Sequence, residues 1–123
     1  MTILEAITQA DLIRPNQLDP AVKLRWLSTL DGQIWTELLR GTPEAPERFR
    51  GYDGDTELQG TRLLVPYPYD ELYPLYLLMR IDLEHGETAR GNNDAASFNR
   101  LWQSFAAWFC RTHSPGEAVR LKF

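Results

Sequence analysis

The sequence predicts an all-α (mainly α) protein, a small bundle of about four helices with one long irregular loop. Apolar residues recur at steps of three and four near both ends of the chain, which is the spacing of a helix with one buried face. Between residues 41 and 68 that spacing disappears, and glycines and prolines punctuate the segment. A chain of 123 residues can bury one ordinary core, so a single domain is expected.

The first two helices are predicted from apolar spacing and from the residues at their boundaries. Residues 3–12 have helical spacing up to Arg14. Asp19 before Pro20 is the arrangement of a side-chain cap followed by proline in the first turn, so the second helix should begin there and continue to about Leu39. Its apolar residues are Val22, Leu24, Trp26, Leu27, Leu30, Ile34, Trp35 and Leu38.

The middle segment, residues 41–68, is predicted to be a loop. A short β-hairpin remains open, in which residues 48–52 would pair with residues 63–65 across a turn at 53–55. A connection this long in a compact domain is usually functional or mobile. We therefore expect part of the function to lie there.

The third and fourth helices follow this loop. The third should begin after the acidic residues of segment 69–72 and end at His85, with Gly86 as its terminator. The fourth carries an aromatic-rich stripe and ends near Thr112, while its start is open between Glu87 and Asn93. Its stripe consists of Ala95, Phe98, Leu101, Trp102, Phe105, Trp108 and Phe109.

The last seven residues have a different period, because apolar side chains alternate with Arg120 and Lys122. This is a strand pattern in a segment too short to fold alone, and such a strand can add to the sheet of a neighbouring chain. We predict a domain over residues 1–116, with its extended loop at 41–68, and a C-terminal arm at 117–123.

Composition excludes several classes of function. Lys and Arg number 13 against 17 Asp and Glu, giving a net charge of −4, and no basic cluster offers a footprint for phosphate. The single cysteine, Cys110, cannot form an intrachain disulfide, which favours a reducing compartment. Neither a secretory leader nor a membrane-length apolar run is visible, so a soluble intracellular protein without membrane attachment is expected.

Candidates for chemistry are weak. Cys110 and His113 are three residues apart, but the apolar stripe around the thiol favours packing over nucleophilic catalysis. Nucleotide-binding and common hydrolase motifs are absent from the sequence. We therefore predict no enzymatic activity, no catalytic residue, no cofactor and no metal site. Two acidic groups are interpreted as a solvated helix end and a polar turn, not as metal ligands, and they are Asp82, Glu84 and His85, then Asp53, Asp55 and Glu57.

Tyrosines are concentrated around the second half of the loop. Tyrosine is enriched on surfaces that must be both apolar and hydrated, so a binding surface is one interpretation. Packing that anchors the loop is the favoured one. The residues are Tyr52, Tyr67, Tyr69, Tyr73 and Tyr76.

A set of short segments, taken in order, resembles a known family. They are Lys23-Leu24-Arg25-Trp26-Leu27 with Leu30-Asp31-Gly32, Phe49 with Gly51-Tyr52, residues 64–73, His85-Gly86-Glu87, Asn92-Asn93, Phe98-Asn99, Phe105, and Arg111-Thr112-His113 with Pro115. In this order they resemble small proteins encoded among the virion genes of bacteriophages and prophages. The resemblance covers about residues 3–115 and is most specific over residues 65–73.

The resemblance implies a structural role in the virion. Such proteins look like head-to-tail connectors, adaptors that form a ring, here expected to be dodecameric, under the portal and join it to the tail or stopper. The implied partners are the portal protein, neighbouring adaptor subunits and the tail or stopper protein, with DNA passing nearby without specific binding. The implied location is the head–tail junction of the virion, after assembly in the host cytoplasm.

The residues expected to make these contacts lie on the loop, at the start of the third helix and on the arm. They are Tyr52, Leu63, Leu64, Val65, Tyr67, Tyr69, Tyr73, Val119, Leu121 and Phe123. A ring is heterologous, so each subunit needs two different contact faces, expected on the flanks of helices two and four. A small cytosolic helical binding or regulatory module remains open as an alternative, and an enzyme using Cys110 or His85 comes third.

Overall fold

The computed structural model describes residues 1–43 and 45–113, and over these residues the chain is mainly helical, which confirms the predicted fold class. Four α-helices are present, and no strand occurs in the described part. They are α1 (Ile3–Ile13), α2 (Pro20–Ile34), α3 (Leu72–Glu84) and α4 (Thr88–His113). One π-helical turn, Trp35–Leu39, continues α2, and a 3₁₀ turn, Tyr69–Glu71, precedes α3.

The helix boundaries follow local chemistry. Thr2 and Glu5 form a reciprocal capping box at the start of α1. The Asp19 carboxylate accepts a hydrogen bond from the Ala21 amide at 2.8 Å with Pro20 in the first turn, as predicted for α2. The continuation of α2 reaches Leu39, also as predicted, but its last turn is wider than an α-helical one.

α3 and α4 form an antiparallel pair with the most extensive helix–helix contact of the described residues. Gly86, at a φ of +74°, ends α3, and α4 begins at Thr88. The sequence left the start of this helix open between Glu87 and Asn93, and the observed start is close to the earlier of these two positions. α1 packs mainly against α3, and α2 contacts both. The core they share includes Ile3, Ile7, Leu27, Ile34, Leu72, Leu77, Ile81 and Phe105.

The second half of the loop runs along the N-terminus instead of pairing with residues 48–52. The Leu63 amide donates to the Met1 carbonyl at 3.0 Å, and the Ile3 amide donates to the Thr61 carbonyl at 3.1 Å. One isolated antiparallel bridge joins Thr2 and Arg62. The hairpin left open by the sequence is therefore not formed, because this edge of the loop is bonded to the start of the chain.

Candidate interaction surfaces and the polar network behind them

A buried carboxylate on α2 fixes the loop to the helices. Asp31 is completely buried, and its two oxygens accept hydrogen bonds from three donors that lie outside α2. Oδ2 accepts from the Tyr52 hydroxyl at 2.5 Å and from the Leu64 amide at 3.1 Å, while Oδ1 accepts from the Tyr73 hydroxyl at 2.5 Å. Two points of the loop and the first turn of α3 thus converge on one side chain.

Tyr73 extends this network to a third point of the loop, Val65. Its hydroxyl donates to Asp31 and at the same time accepts from the Val65 amide at 2.8 Å. The side chain is fully buried, so neither bond competes with water. Leu64 and Val65, which have no strand partner, therefore have their amides satisfied by side chains.

The other side of the loop is fixed through a glycine. The Tyr52 amide donates to the Ser28 hydroxyl at 2.8 Å, which brings the chain against α2. Gly51 has a φ of +85°, and a Cβ placed on it would lie 2.3 Å from the Ser28 Oγ. Glycine is needed here both for its backbone conformation and for the close approach.

Burial controls the ionisation of the network. It raises the pKa of Asp31 from 3.8 to about 6, although the hydrogen bonds from Tyr52, Tyr73 and Leu64 oppose this shift. Burial, with the neighbouring carboxylate, also raises the pKa of Tyr52 and of Tyr73, so both hydroxyls keep their protons and remain donors. Because both carboxylate oxygens are already engaged and shielded from solvent, the network supports structure and is closed to a substrate.

A second polar cluster joins α1 to the α3–α4 pair. Arg14, just after α1, donates to the buried carboxylate of Asp82 on α3 and to Asp94 on α4, the latter at 2.9 Å. The pKa of Asp94 is raised by burial and by the adjacent Asp82, whereas Arg14 acts in the opposite direction. Asp82 is thus not part of a solvated helix end as predicted, although Glu84 and His85 are exposed.

The predicted contact residues divide by burial. Leu63, Val65 and Tyr73 are buried, Tyr52 and Leu64 are partly buried in the Asp31 network, and Tyr69 packs its ring on Phe105 and Trp108 at 5.6 and 5.4 Å. Tyr67 alone of the described set is strongly exposed, at 86 %. Val119, Leu121 and Phe123 lie outside the described residues. Most of the described side chains therefore hold the loop against the helices, and Tyr67 is the one exposed to solvent.

Two further apolar surfaces are open. Leu12 and Ile13, at the end of α1, are 76 % and 59 % exposed, and we call them the α1 patch. Near the end of α4 the structure has a groove of about 410 Å³, which we call the α4 groove. It lies between α4 and the loop and is lined mainly by apolar side chains, among them Leu39, Leu63, Pro66, Trp108 and Phe109, with His113 at its end.

The residues considered for catalysis have different surroundings. Cys110 is exposed, so the prediction that its thiol packs inside the apolar stripe was wrong; position 110 lies next to the buried Phe109 but on the outer side of α4. The His113 ring stacks on Phe109 at 4.1 Å. Over residues 1–43 and 45–113 no group of three or more His, Cys, Asp or Glu side chains is placed to hold a metal ion. Nor does any helix within those ranges have the length and apolarity to cross a bilayer.

Comparison with known proteins adds no relative. No family model, curated protein or solved structure was found that matches this chain.

Sequence reasoning missed the central role of Asp31 and of Arg14. A signal for Asp31 exists, because it occupies a core position in the spacing of Leu24, Leu27 and Ile34 on α2. A carboxylate on a buried stripe needs donors, and tyrosine hydroxyls such as those of Tyr52 and Tyr73 can supply them. For Arg14 no comparable signal exists, since its partners are 68 and 80 residues away in the chain.

Proposed function

We propose that this protein is a structural component of a phage virion, a head-to-tail adaptor that forms a ring under the portal and works by binding, not by turnover. The observation that carries the proposal is a pair of exposed apolar surfaces that differ from each other, the α1 patch and Tyr67. A closed ring uses heterologous contacts, in which one patch of a subunit docks on a different patch of the next. One self-complementary patch would instead favour a dimer.

The two surfaces are separated along α4. Arg14, next to the α1 patch, contacts Asp94 near the start of this helix. Tyr69, two residues after Tyr67, packs on Phe105 and Trp108 in its second half. At 1.5 Å per helical residue, Asp94 and Phe105 are about 16 Å apart along the axis. Contacts at both sites can therefore be made at once by two different neighbours.

The Asp31 network supports the same proposal because it gives the loop a fixed shape. Bonds to Tyr52, Leu64 and Tyr73 hold the loop on both sides of its exposed parts. A contact surface that is already ordered loses less conformational entropy on binding. These bonds also join three of the segments on which the resemblance to phage proteins rests, which gives a physical reason for their occurring together.

Charge is compatible with a conduit for DNA. The net charge is −4, and a chain that lets DNA slide past should not hold phosphates with Lys and Arg. We expect no retention on DNA at moderate salt, measured with a duplex of random sequence.

The test is assembly with the portal protein encoded by the same phage. Light scattering of the mixture should give a mass corresponding to a ring on the portal, and gold labelling of tagged virions should mark the joint between capsid and tail. A chain that remains monomeric with the portal present, or that is missing from this joint, would overturn the proposal.

Matched variants connect the assembly to the α1 patch. Leu12→Glu combined with Ile13→Glu places two charges in that patch and should abolish the ring while leaving the circular dichroism spectrum unchanged. Thr8→Glu is the control, because it adds charge at an exposed position elsewhere on α1. Equal assembly of both variants would exclude the α1 patch from the subunit contact.

A further inference from the structure

We propose that the α4 groove is the binding site of the chain's own C-terminal segment, residues 117–123, whose apolar side chains fill it. The first argument is size. An apolar cavity of about 150 Å³ can hold one benzene molecule. A groove of about 410 Å³ therefore has room for two or three apolar side chains of that size.

The second argument is position. His113 is the last residue of α4 and also lines the groove, so the following residues start at its edge. From His113 to Leu121 is a stretch of eight residues, which spans at most about 28 Å when extended. Ser114, Pro115 and Gly116 are residues typical of a turn, and a turn at these positions would direct the following segment back toward the groove.

The third argument is the sequence of the segment itself. Val119, Leu121 and Phe123 alternate with Arg120 and Lys122, so an extended segment would have one apolar side and one charged side. The apolar side matches the mainly apolar groove, and the cations remain in water. Because the segment is tethered at the edge of the groove, its effective concentration there is in the millimolar range, far above that of a second copy in dilute solution.

Side chains, and not addition of a strand, would provide the binding. The amides of Leu63 and Leu64 at the groove are already bonded, the first to the Met1 carbonyl and the second to Asp31. An incoming strand would find these donors occupied. Binding in the α4 groove should therefore depend on the apolar residues at positions 119, 121 and 123 and not on the residues between them.

Cysteine cross-linking in the full chain tests whether residues 117–123 bind in the α4 groove. Ala45 lines the groove, so Ala45→Cys with Leu121→Cys, in a Cys110→Ser background, should oxidise to an intramolecular disulfide. Ala89→Cys with Leu121→Cys is the matched control. Ala89 lies about 36 Å from His113 along α4, which is farther than the segment can reach.

The outcomes separate the occupants. An intramolecular disulfide in the Ala45 pair and none in the control supports binding of the chain's own C-terminal segment in the α4 groove. Disulfide-linked dimers without intramolecular product would overturn it and assign the groove to the segment of a neighbouring copy. No disulfide in the Ala45 pair, or equal yields in both pairs, would also overturn it. All these measurements use the isolated protein, so they do not depend on whether a virion ring forms.

A dye measurement covers the case in which the cysteine variants are poorly folded. Leu121→Asp with Phe123→Asp should vacate the groove and increase the fluorescence of bound anilinonaphthalene sulfonate severalfold. Arg120→Ser with Lys122→Ser alters the other side of the segment and should leave the fluorescence at the level of the unmodified chain. An unchanged fluorescence in the aspartate variant would contradict the occupation of the α4 groove by residues 117–123.

Discussion

At the scale of single residues, the attachment of the loop to the helices depends on buried polar side chains. Asp31 and Tyr73 are both fully buried, and together they satisfy two loop amides that no strand pairs. Removing one member of such a network leaves the others without partners in a place that water does not reach. The loss of unfolding free energy caused by a substitution should therefore depend on how buried the side chain is, even when the same chemical group is removed.

Tyr73→Phe tests this point. It removes one hydroxyl, which leaves the Val65 amide without its acceptor and one Asp31 oxygen without its donor, so the free energy of unfolding should fall by about 1–3 kcal/mol. Tyr67→Phe makes the same chemical change at a side chain that is 86 % exposed and should have almost no effect. Urea denaturation of both variants measures the difference, and equal stabilities would argue against a stabilising network.

Gly51→Ala tests the close approach of the loop to α2. A Cβ at this position meets the Ser28 hydroxyl at 2.3 Å, and the φ of +85° is unfavourable for alanine. We expect a loss of about 2–3 kcal/mol in unfolding free energy, with the loop displaced from α2. Gly54→Ala is the control because nothing lies within 4 Å of its Cβ position. A calorimetric comparison in which the two variants melt together would exclude this requirement for glycine.

At the scale of helices, ion pairs join the end of α1 to the other three helices. Arg14 reaches both α3 and α4, and Lys23 on α2 pairs with Asp11 on α1 at 2.8 Å. Asp82 has a side chain only 1 % exposed, and its Oδ1 has no hydrogen-bond partner among the described residues. The carboxylate therefore depends on Arg14 more than an exposed one would.

Arg14→Met should destabilise the protein by about 3 kcal/mol, because it leaves a buried carboxylate without its main cation. Arg90→Met is the matched control. Arg90 is 54 % exposed and lies 3.7 Å from the same carboxylate, so its loss should cost less than about 1 kcal/mol. Thermal unfolding at neutral pH distinguishes the two variants, and a larger effect at Arg90 would show that the ranking by burial is wrong.

At the scale of the whole molecule, Asp31 makes global stability depend on pH in an unusual direction. The pKa of this carboxyl rises from its ordinary value of 3.8 to about 6 in the folded state, so the folded state holds the proton more tightly. The contribution of this tighter proton binding to the free energy of unfolding is complete below about pH 4 and is lost as the pH rises through about 6.

Asp31→Asn has no such titration. The stability advantage of the unmodified chain over this variant should therefore shrink as the pH is raised from 4 to 7, by an amount on the order of 3 kcal/mol. Urea titrations of both proteins at several pH values measure the difference. An advantage that is constant or grows with pH would contradict a raised pKa for Asp31.

Most of the fold could be predicted because helices are encoded locally. Asp19 with Pro20 marks the start of α2, and Gly86 marks the end of α3, each through the backbone needs of a helix terminus. The apolar spacing also gave the correct buried side of α4 at Phe105 and Phe109. Cys110 was misplaced because it is adjacent in sequence to this side but about 100° away around the helix axis.

The sequence by itself determined the helices, the single extended loop and the acidic character, because these depend on spacing, caps and composition within short windows. Only the tertiary structure decided that the loop is bonded to Asp31 and to the N-terminus, that Tyr67 alone of the described contact tyrosines is fully presented, and that a groove opens beside His113. These features join residues that are tens of positions apart. No local pattern encodes such a meeting, since it requires the helices to be packed first.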